Sequence, residues 1–484
     1  MVTTALHADR RTLRVAVVVG AVAVVLAPAA AALPLHLLTA ALVAVVLAAV
    51  AYAHPPAAAY LVLVVTPLSA GFPRGLVAPQ LRPHEALALV VGAGVVLRAV
   101  VRLGSTRRVS ARLGPIDVAF LIMAFASSVL PLLWMAARGM APTREDLLYA
   151  AAIWKFYGLY LLIRTCLSTE REVRRCLYLS ISAAGVVAVV AILQSLNLAG
   201  VPDLLARLLP PEDATGLAAG RGSATLGSSI SVGDVMAFHV AICLALLVRG
   251  RASRRVLLPC IALFTIGTVA SGQFSAVIAV VVCVVIVALV TGQAKRLLVG
   301  ALPAAALTAV LLWPVIAQRL AQRDVATGVP QSWHVRYENL RLYVWPELFS
   351  GENWLFGVRP STRIEVSTPW GSEIYIESGH TWLLWTGGIA FLVAYLWFML
   401  VALRTTAWIA GRRRDAVGVA AIASLASLAA VFVLMAFDPH LTMRGAADLT
   451  YALLALATAV PTPAAAGQTV RAVGVARPGS TSYT

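Results

Sequence analysis

Repetition constrains this chain more than anything else. Runs of about 18 or more apolar residues with almost no charge follow one another along most of its length. A water-soluble core has no room for so many such segments, whereas a bilayer accepts each as one helix. The runs fall at 13–32, 35–53, 57–71, 85–101, 116–135, 147–166, 176–198, 231–248, 256–270, 274–291, 297–316, 380–403, 416–437 and 445–460. The third and ninth are short, so roughly twelve to fourteen spans are expected. The expected fold is therefore all-α, a polytopic helical membrane protein. With 60% hydrophobic and 12% charged residues, the composition agrees; soluble domains are about half apolar and about a quarter charged.

The chain carries a formal charge of +17, which raises the question of nucleic acid. The distribution argues against it. The basic residues sit in short clusters between spans: Arg98, Arg102, Arg107, Arg108 and Arg112; Arg164, Arg171, Arg174 and Arg175; Arg249, Arg251, Arg254 and Arg255; Lys295 and Arg296; Arg404, Arg412, Arg413 and Arg414. With Arg10, Arg11 and Arg14 placed in the cytoplasm, all these clusters fall on the cytoplasmic side, as the positive-inside rule requires. The expected location is the cell inner (cytoplasmic) membrane, multi-pass, with both termini cytoplasmic and lipid as the surrounding partner. Only Lys155 and Lys295 are lysines, a bias that suggests a GC-rich genome. The first apolar run leads directly into the second without a convincing cleavage site, so it reads as a retained helix.

Four regions follow: spans in 1–316, a long extracytoplasmic loop in 317–379, three last spans in 380–460, and an Ala-, Pro- and Gly-rich tail in 461–484 expected to be disordered and cytoplasmic. A second outside loop covers about 199–230. The 317–379 loop is nearly charge-balanced and rich in aromatics, among them Trp333, Tyr337, Trp345, Trp354 and Tyr375. Such a composition folds rather than merely solvates, with a helix expected near 332–349. The cysteines, Cys166, Cys176, Cys243, Cys260 and Cys283, all lie outside this loop and lack metal-ligand spacing. No disulfide, metal site or cofactor is expected.

Arg336 and Arg341 stand in QSWHVRYENLRLYVW, and five residues of helix would turn them apart. A guanidinium fork suits phosphate oxygens; a salt bridge to one of the loop's carboxylates is the plainer reading. Arg221 lies in a Gly- and Ser-rich stretch just before a helix N-terminus, a setting that favours anions, and an ordinary interfacial arginine is the alternative. His380 opens the helix after the loop, with Ser378 as its N-cap. The helix dipole disfavours imidazolium there, leaving a neutral imidazole suited to general-base work; an imidazole satisfied by a backbone carbonyl is the alternative. Lys155 is mid-span and either functional or paired with a buried acid such as Asp234. Asp234 and His239 are five apart and lie on different helix faces. Ser271 and Gln273 mark a tight outside turn, and Asp438 and His440 another.

Together these pieces resemble the O-antigen ligase and polymerase family of bacterial surface-polysaccharide enzymes. The likeness covers roughly 215–460. It rests on Arg336, then Trp345, then the turn Leu355 to Val358, then His380 followed by Gly387 and Gly388 in an apolar helix, and on Arg221 before GSATLGSSISVGD. Three departures stand out: Thr381 where Asn often follows the His, Arg359 at the turn's second Gly, and Gln273 where Arg is common. The resemblance implies a GT-C-like, metal-independent, inverting glycosyltransferase. Its donor is a glycan on undecaprenyl diphosphate, and its acceptor is the hydroxyl of a glycan or lipid-linked glycan. His380 would be catalytic, and Arg221, Arg336 and Arg341 would bind substrate. The alternative is a lipid-linked glycan flippase or other transporter. Against it, the chain shows no internal repeat and its ionisable groups gather at one face.

Overall fold

The computed structural model describes residues 35–106, 113–210, 220–295, 331–368 and 371–460, with positions 310, 313 and 317. The expected spans at 13–32 and 297–316 and the tail after 460 lie outside these residues. The helices are α1 (Leu35–Ala53), α2 (Pro55–Ser69), α3 (Pro83–Thr106), α4 (Pro115–Ala137), α5 (Arg144–Ala150), α6 (Ala152–Cys166), α7 (Glu170–Ser195), α8 (Val201–Leu208), α9 (Ser229–Val248), α10 (Arg254–Ala270) and α11 (Phe274–Thr291). After the long loop come α15 (Gly379–Arg412), α16 (Ala416–Leu434) and α17 (Ala446–Thr458). Among the described residues, 8 helices are long and apolar enough to cross a membrane, with three shorter apolar helices beside them. The protein is a multi-pass helical membrane protein.

Local sequence sets these boundaries. Thr169 caps α7 by accepting from Glu172 N, while Glu172 returns to Thr169 N at 2.9 Å. Asp415 accepts from Gly418 N at 3.1 Å and starts α16. The centre is held by α9 and α16, each with 83% of its best apolar window buried. An aromatic cluster of Phe120, Phe156, Tyr160, Phe398 and Tyr451 joins α4, α6, α15 and α17. Edge-to-face pairs such as Phe120–Phe398 add about 0.5–1.5 kcal/mol beyond area burial.

The long loop is more than helical. Its first part runs through α12 (Gln331–Asn339), a π-helical turn at Leu340–Val344 and α13 (Trp345–Leu348), in line with the helix expected near 332–349. Pro346 in α13 lacks an N–H for the preceding turn, which favours the wider turn. After α14 (Asn353–Phe356) the chain forms a hairpin of β1 (Arg363–Thr368) and β2 (Gly371–Tyr375), antiparallel, with Arg363 opposite Tyr375 and Glu365 opposite Glu373. The hairpin departs from the all-α expectation, although Ile364 and Val366 alternate with charged or polar neighbours in the period-2 pattern that strands require.

This loop is docked on the bundle by polar contacts. Arg138, at the end of α4, donates to Asn353 Oδ1 at 2.8 Å and to the Val358 carbonyl. The buried Asp146 of α5 accepts from Arg359 Nη2 at 2.6 Å and Nε at 3.0 Å, and from Ser361 N at 3.1 Å. Arg363 reaches Glu145 at 3.1 Å and also pairs with Glu373. Opposite this docking, α15 is broken at Gly387 and Gly388, whose φ of 64° and ψ of −161° at Gly388 leave the helical region. A Cβ on Gly388 would lie 2.1 Å from the Leu355 carbonyl oxygen, and one on Gly357 would lie 2.8 Å from Gly387 N. The glycines let the loop backbone enter the break, and Val358 N donates to the Trp385 carbonyl at 2.7 Å.

Candidate functional site

The ends of α15 and α16 meet beneath α12, and a charged cluster forms there. Arg336, on the last turn of α12, reaches two carboxylates from different elements. Its Nε is 3.2 Å from Glu377, just before α15, and its Nη1 is 3.0 Å from Asp438, just after α16. The side chain keeps 21% of its exposure, and Nη2 has no protein partner among the described residues. Both the salt-bridge reading and the open-fork reading of Arg336 therefore describe part of it. Burial pushes the Glu377 carboxyl above its ordinary range; Asp438 adds to this and Arg336 opposes it.

Arg221 sits in the loop before α9, where its backbone is clamped. Gln194 of α7, itself 3% exposed, donates to the Arg221 carbonyl at 2.9 Å and accepts from Ala224 N at 2.8 Å. Gly222 N donates to the Ala270 carbonyl at 2.9 Å. Its guanidinium has no ion pair or hydrogen bond among the described residues, and its Nε is buried without a partner. Burial lowers the Arg221 pKa from its ordinary value, and the like charge of Arg336 adds to the effect. A guanidinium that feels a second one, with no carboxylate of its own among the described residues, keeps spare donors of the kind that anions pair with.

Below the arginines lies a buried pair. His440, in the short 3₁₀ turn His440–Thr442, meets Asp234 of α9 with Nδ1 to Oδ2 at 2.6 Å, at side-chain exposures of 0% and 1%. His440 Nε2 and Asp234 Oδ1 have no partner among the described residues. Burial draws the His440 pKa down, but the charge and hydrogen bond of Asp234, with Asp438 beyond it, outweigh this and leave it above the ordinary histidine value. This corrects the pairing of Asp234 with Lys155: Lys155 is 3.1 Å from Glu85 of α3 instead. His239, on another face of α9, bonds Ser180 Oγ at 2.8 Å and the Val235 carbonyl at 2.7 Å.

His380 lies in the first turn of α15, three residues after Glu377. Ser378 caps the helix through Thr381 N at 3.4 Å. Its imidazole is half-buried and bonds no described residue. Gly379 fits so tightly under α16 that a Cβ would lie 2.7 Å from the Met435 carbonyl oxygen. That packing brings the start of α15 to the turn that carries Asp438. Arg341 is not brought to this cluster; it pairs with Glu338 at 2.9 Å and stays 55% exposed. Gln273 donates to Ser229 Oγ at 2.7 Å, tying the α10–α11 turn to the start of α9. Arg359, where a second glycine is usual, serves the Asp146 anchor described above.

The cluster holds Arg336 with Glu377 and Asp438, and the Asp234–His440 pair adjoins it; the charge of Arg336 is felt at Arg221, while His380 follows Glu377 by three residues and its imidazole contacts none of these groups among the described residues. The sequence carried a signal for some of these. An acid inside a span, such as Asp234, is a functional flag in itself, and Asp438-Pro-His440 marks a turn. Glu377 is indistinguishable in sequence from the loop's other acids. Among the described residues no three His, Cys, Asp or Glu side chains are grouped as a metal site would need. No family model, curated protein or solved structure matches the chain.

Proposed function

We propose that the protein is an O-antigen ligase/polymerase-like glycosyltransferase. It moves a glycan from an undecaprenyl-diphosphate carrier to an acceptor hydroxyl at the outer face of the cytoplasmic membrane. The observation that carries this reading is the unpartnered guanidinium of Arg221 beside Arg336, whose Nη2 is open. Two guanidiniums with spare donors suit a diphosphate better than any single-charge ligand. They stand where apolar helices end, the position a lipid-borne diphosphate occupies.

In this mechanism the acceptor oxygen attacks the anomeric carbon as the bond from that carbon to the diphosphate oxygen breaks, with inversion. His380 takes the acceptor proton. Negative charge growing on the leaving lipid diphosphate is met by Arg221 and Arg336, donors fixed before the reaction starts. The basic residues Arg249, Arg251, Arg413 and Arg414 lie at the opposite ends of α9 and α15. Arg249 donates to the Ala410 carbonyl at 2.8 Å and Arg251 to the Arg414 carbonyl at 2.9 Å. That asymmetry supports an outside site under the positive-inside rule.

The test is consumption of radiolabelled lipid-linked donor by the purified chain in detergent, without an energy source. A transferase consumes the donor; a flippase leaves it intact, and that result would sink the reading. His380→Gln keeps a hydrogen-bonding side chain but no base, so turnover should fall by about 10²–10⁴ with donor binding retained.

A further inference from the structure

Charges alternate along one line through the site. Asp234 on α9 touches His440 at 2.6 Å; His440 sits two residues from Asp438, and its backbone N donates to the Asp438 carbonyl at 2.7 Å. Asp438 holds Arg336 at 3.0 Å, and Arg336 holds Glu377 at 3.2 Å. Arg221 stands beyond Arg336 with no carboxylate. With His440 protonated, three cations (Arg221, Arg336, His440) face three carboxylates (Asp234, Asp438, Glu377). With His440 neutral, these carboxylates exceed these cations by one; Arg336 is the cation that touches Asp438 in either state.

Several elements contribute to that count, and Arg444 is a further basic residue on the turn that carries His440. Asp234 comes from α9, Arg336 from α12, Glu377 from the segment before α15, and Arg221 from the loop before α9. Cys283 of α11 is buried and turned to the Ala426 carbonyl of α16 at 3.7 Å. Further along the same turn, Asp448 is engaged by Gly445 N at 2.8 Å. Asp234 and His440 are closed to solvent, so a proton change between them is felt by the arginines with little screening.

We propose that the buried Asp234–His440 pair makes this a proton-coupled anion site, in which a phosphate-class dianion seats on Arg221 and Arg336 together with one proton held on His440. The proposal rests on the reading of the two arginines as an anion cradle. It makes His440 a positioning residue: it never meets the anion, and it sets how much of the Arg336 charge Asp438 neutralises. The sign follows from the chemistry. Asp234 and His440 titrate as one coupled pair; the protonated pair exists below its apparent pKa, and the carboxylate at 2.6 Å favours the proton there. Anion affinity is therefore full at low pH and falls as pH rises through that value, by up to about tenfold per pH unit for one linked proton.

The experiment is calorimetric titration of the full chain in detergent with sulfate, which stays dianionic from pH 5.5 to 9, so any proton taken up belongs to the protein. Paired buffers of different ionisation enthalpy count that proton. The wild type should take up close to one proton per sulfate at a pH above the apparent pKa of the pair. His440→Gln should bind with nearly pH-independent affinity and no uptake. Should the lone Asp234 unfold that variant, the Asp234→Asn/His440→Gln double variant carries no unpaired charge and should behave the same way. Uptake that survives in either variant and vanishes in Glu377→Gln would place the proton on Glu377 and overturn the proposal. Wild-type binding without uptake or pH dependence would also overturn it, leaving the cradle intact. No binding at all, unchanged in Arg221→Ala, would remove the cradle and the proposal together.

Discussion

A guanidinium that bridges two carboxylates from different helices is constrained in both position and charge. Arg336 is held by Glu377 and Asp438 through Nε and Nη1, and only the geometry of a fork leaves Nη2 pointing elsewhere. Lysine cannot copy this, because one ammonium must choose among the carboxylates and the ligand. Arg336→Lys should lower donor turnover at least tenfold, about 1.4 kcal/mol of transition-state stabilisation, with unchanged expression and thermal unfolding. Arg341→Ala should change turnover less than about twofold, since an exposed i,i+3 pair is worth about 0.2–1 kcal/mol to stability and Arg341 touches only Glu338. Equal losses at both positions in a donor-consumption assay would return Arg336 to a structural tie. Arg221, Arg336 and His380 could be singled out because each stands in a short sequence context with a physical meaning. The tie from Arg336 to Asp438 spans 102 residues, and nothing in the local sequence announces such a pairing.

At the scale of elements, helix positions were legible because apolar runs of membrane length admit one solution. The hairpin was less so. Short strands carry a weak period-2 signal, and the aromatic loop masks it. The break in α15 was visible only as the dipeptide Gly387-Gly388, and its use emerges from the Leu355 and Val358 backbone entering it. Gly388→Ala should destabilise the protein by at least about 2 kcal/mol, combining the cost of a glycine-only backbone conformation with displacement of the Leu355 carbonyl. Thermal unfolding in detergent should show the loss. Gly411→Ala, on the same helix with open space around it, should be neutral or slightly stabilising. Equal behaviour of the two variants would mean the loop does not need the break.

For the whole molecule, the cluster of Arg221, Arg336, Glu377 and Asp438 and the arginine-rich clusters sit at opposite ends of the same helices. The sequence implied this through its alternation of basic loops from residue 98 onward. The proposed orientation gives a direct expectation. A cysteine at the exposed Glu352 should react with an impermeant thiol reagent in intact cells, and one at Gly411 should react only after permeabilisation. Cys166, Cys176, Cys243 and Cys283 are buried and Cys260 is partly exposed, so the labelling is done in a Cys260→Ser background. The reverse pattern would place the candidate site in the cytoplasm and remove the case for an extracytoplasmic transferase.

The docking of the long loop has one more consequence. The bundle is cemented by apolar packing, whereas the loop is riveted to it by Arg138, Arg359 and Arg363 on Asn353, Asp146 and Glu145. Two kinds of fastening answer to two kinds of solvent. Detergent tests the cement and brine tests the rivets, at least the outer ones such as Arg363–Glu145, since at about 1 M salt the screening length falls to about 3 Å. A preparation judged sound by its helices has therefore been checked at only one of its two joints.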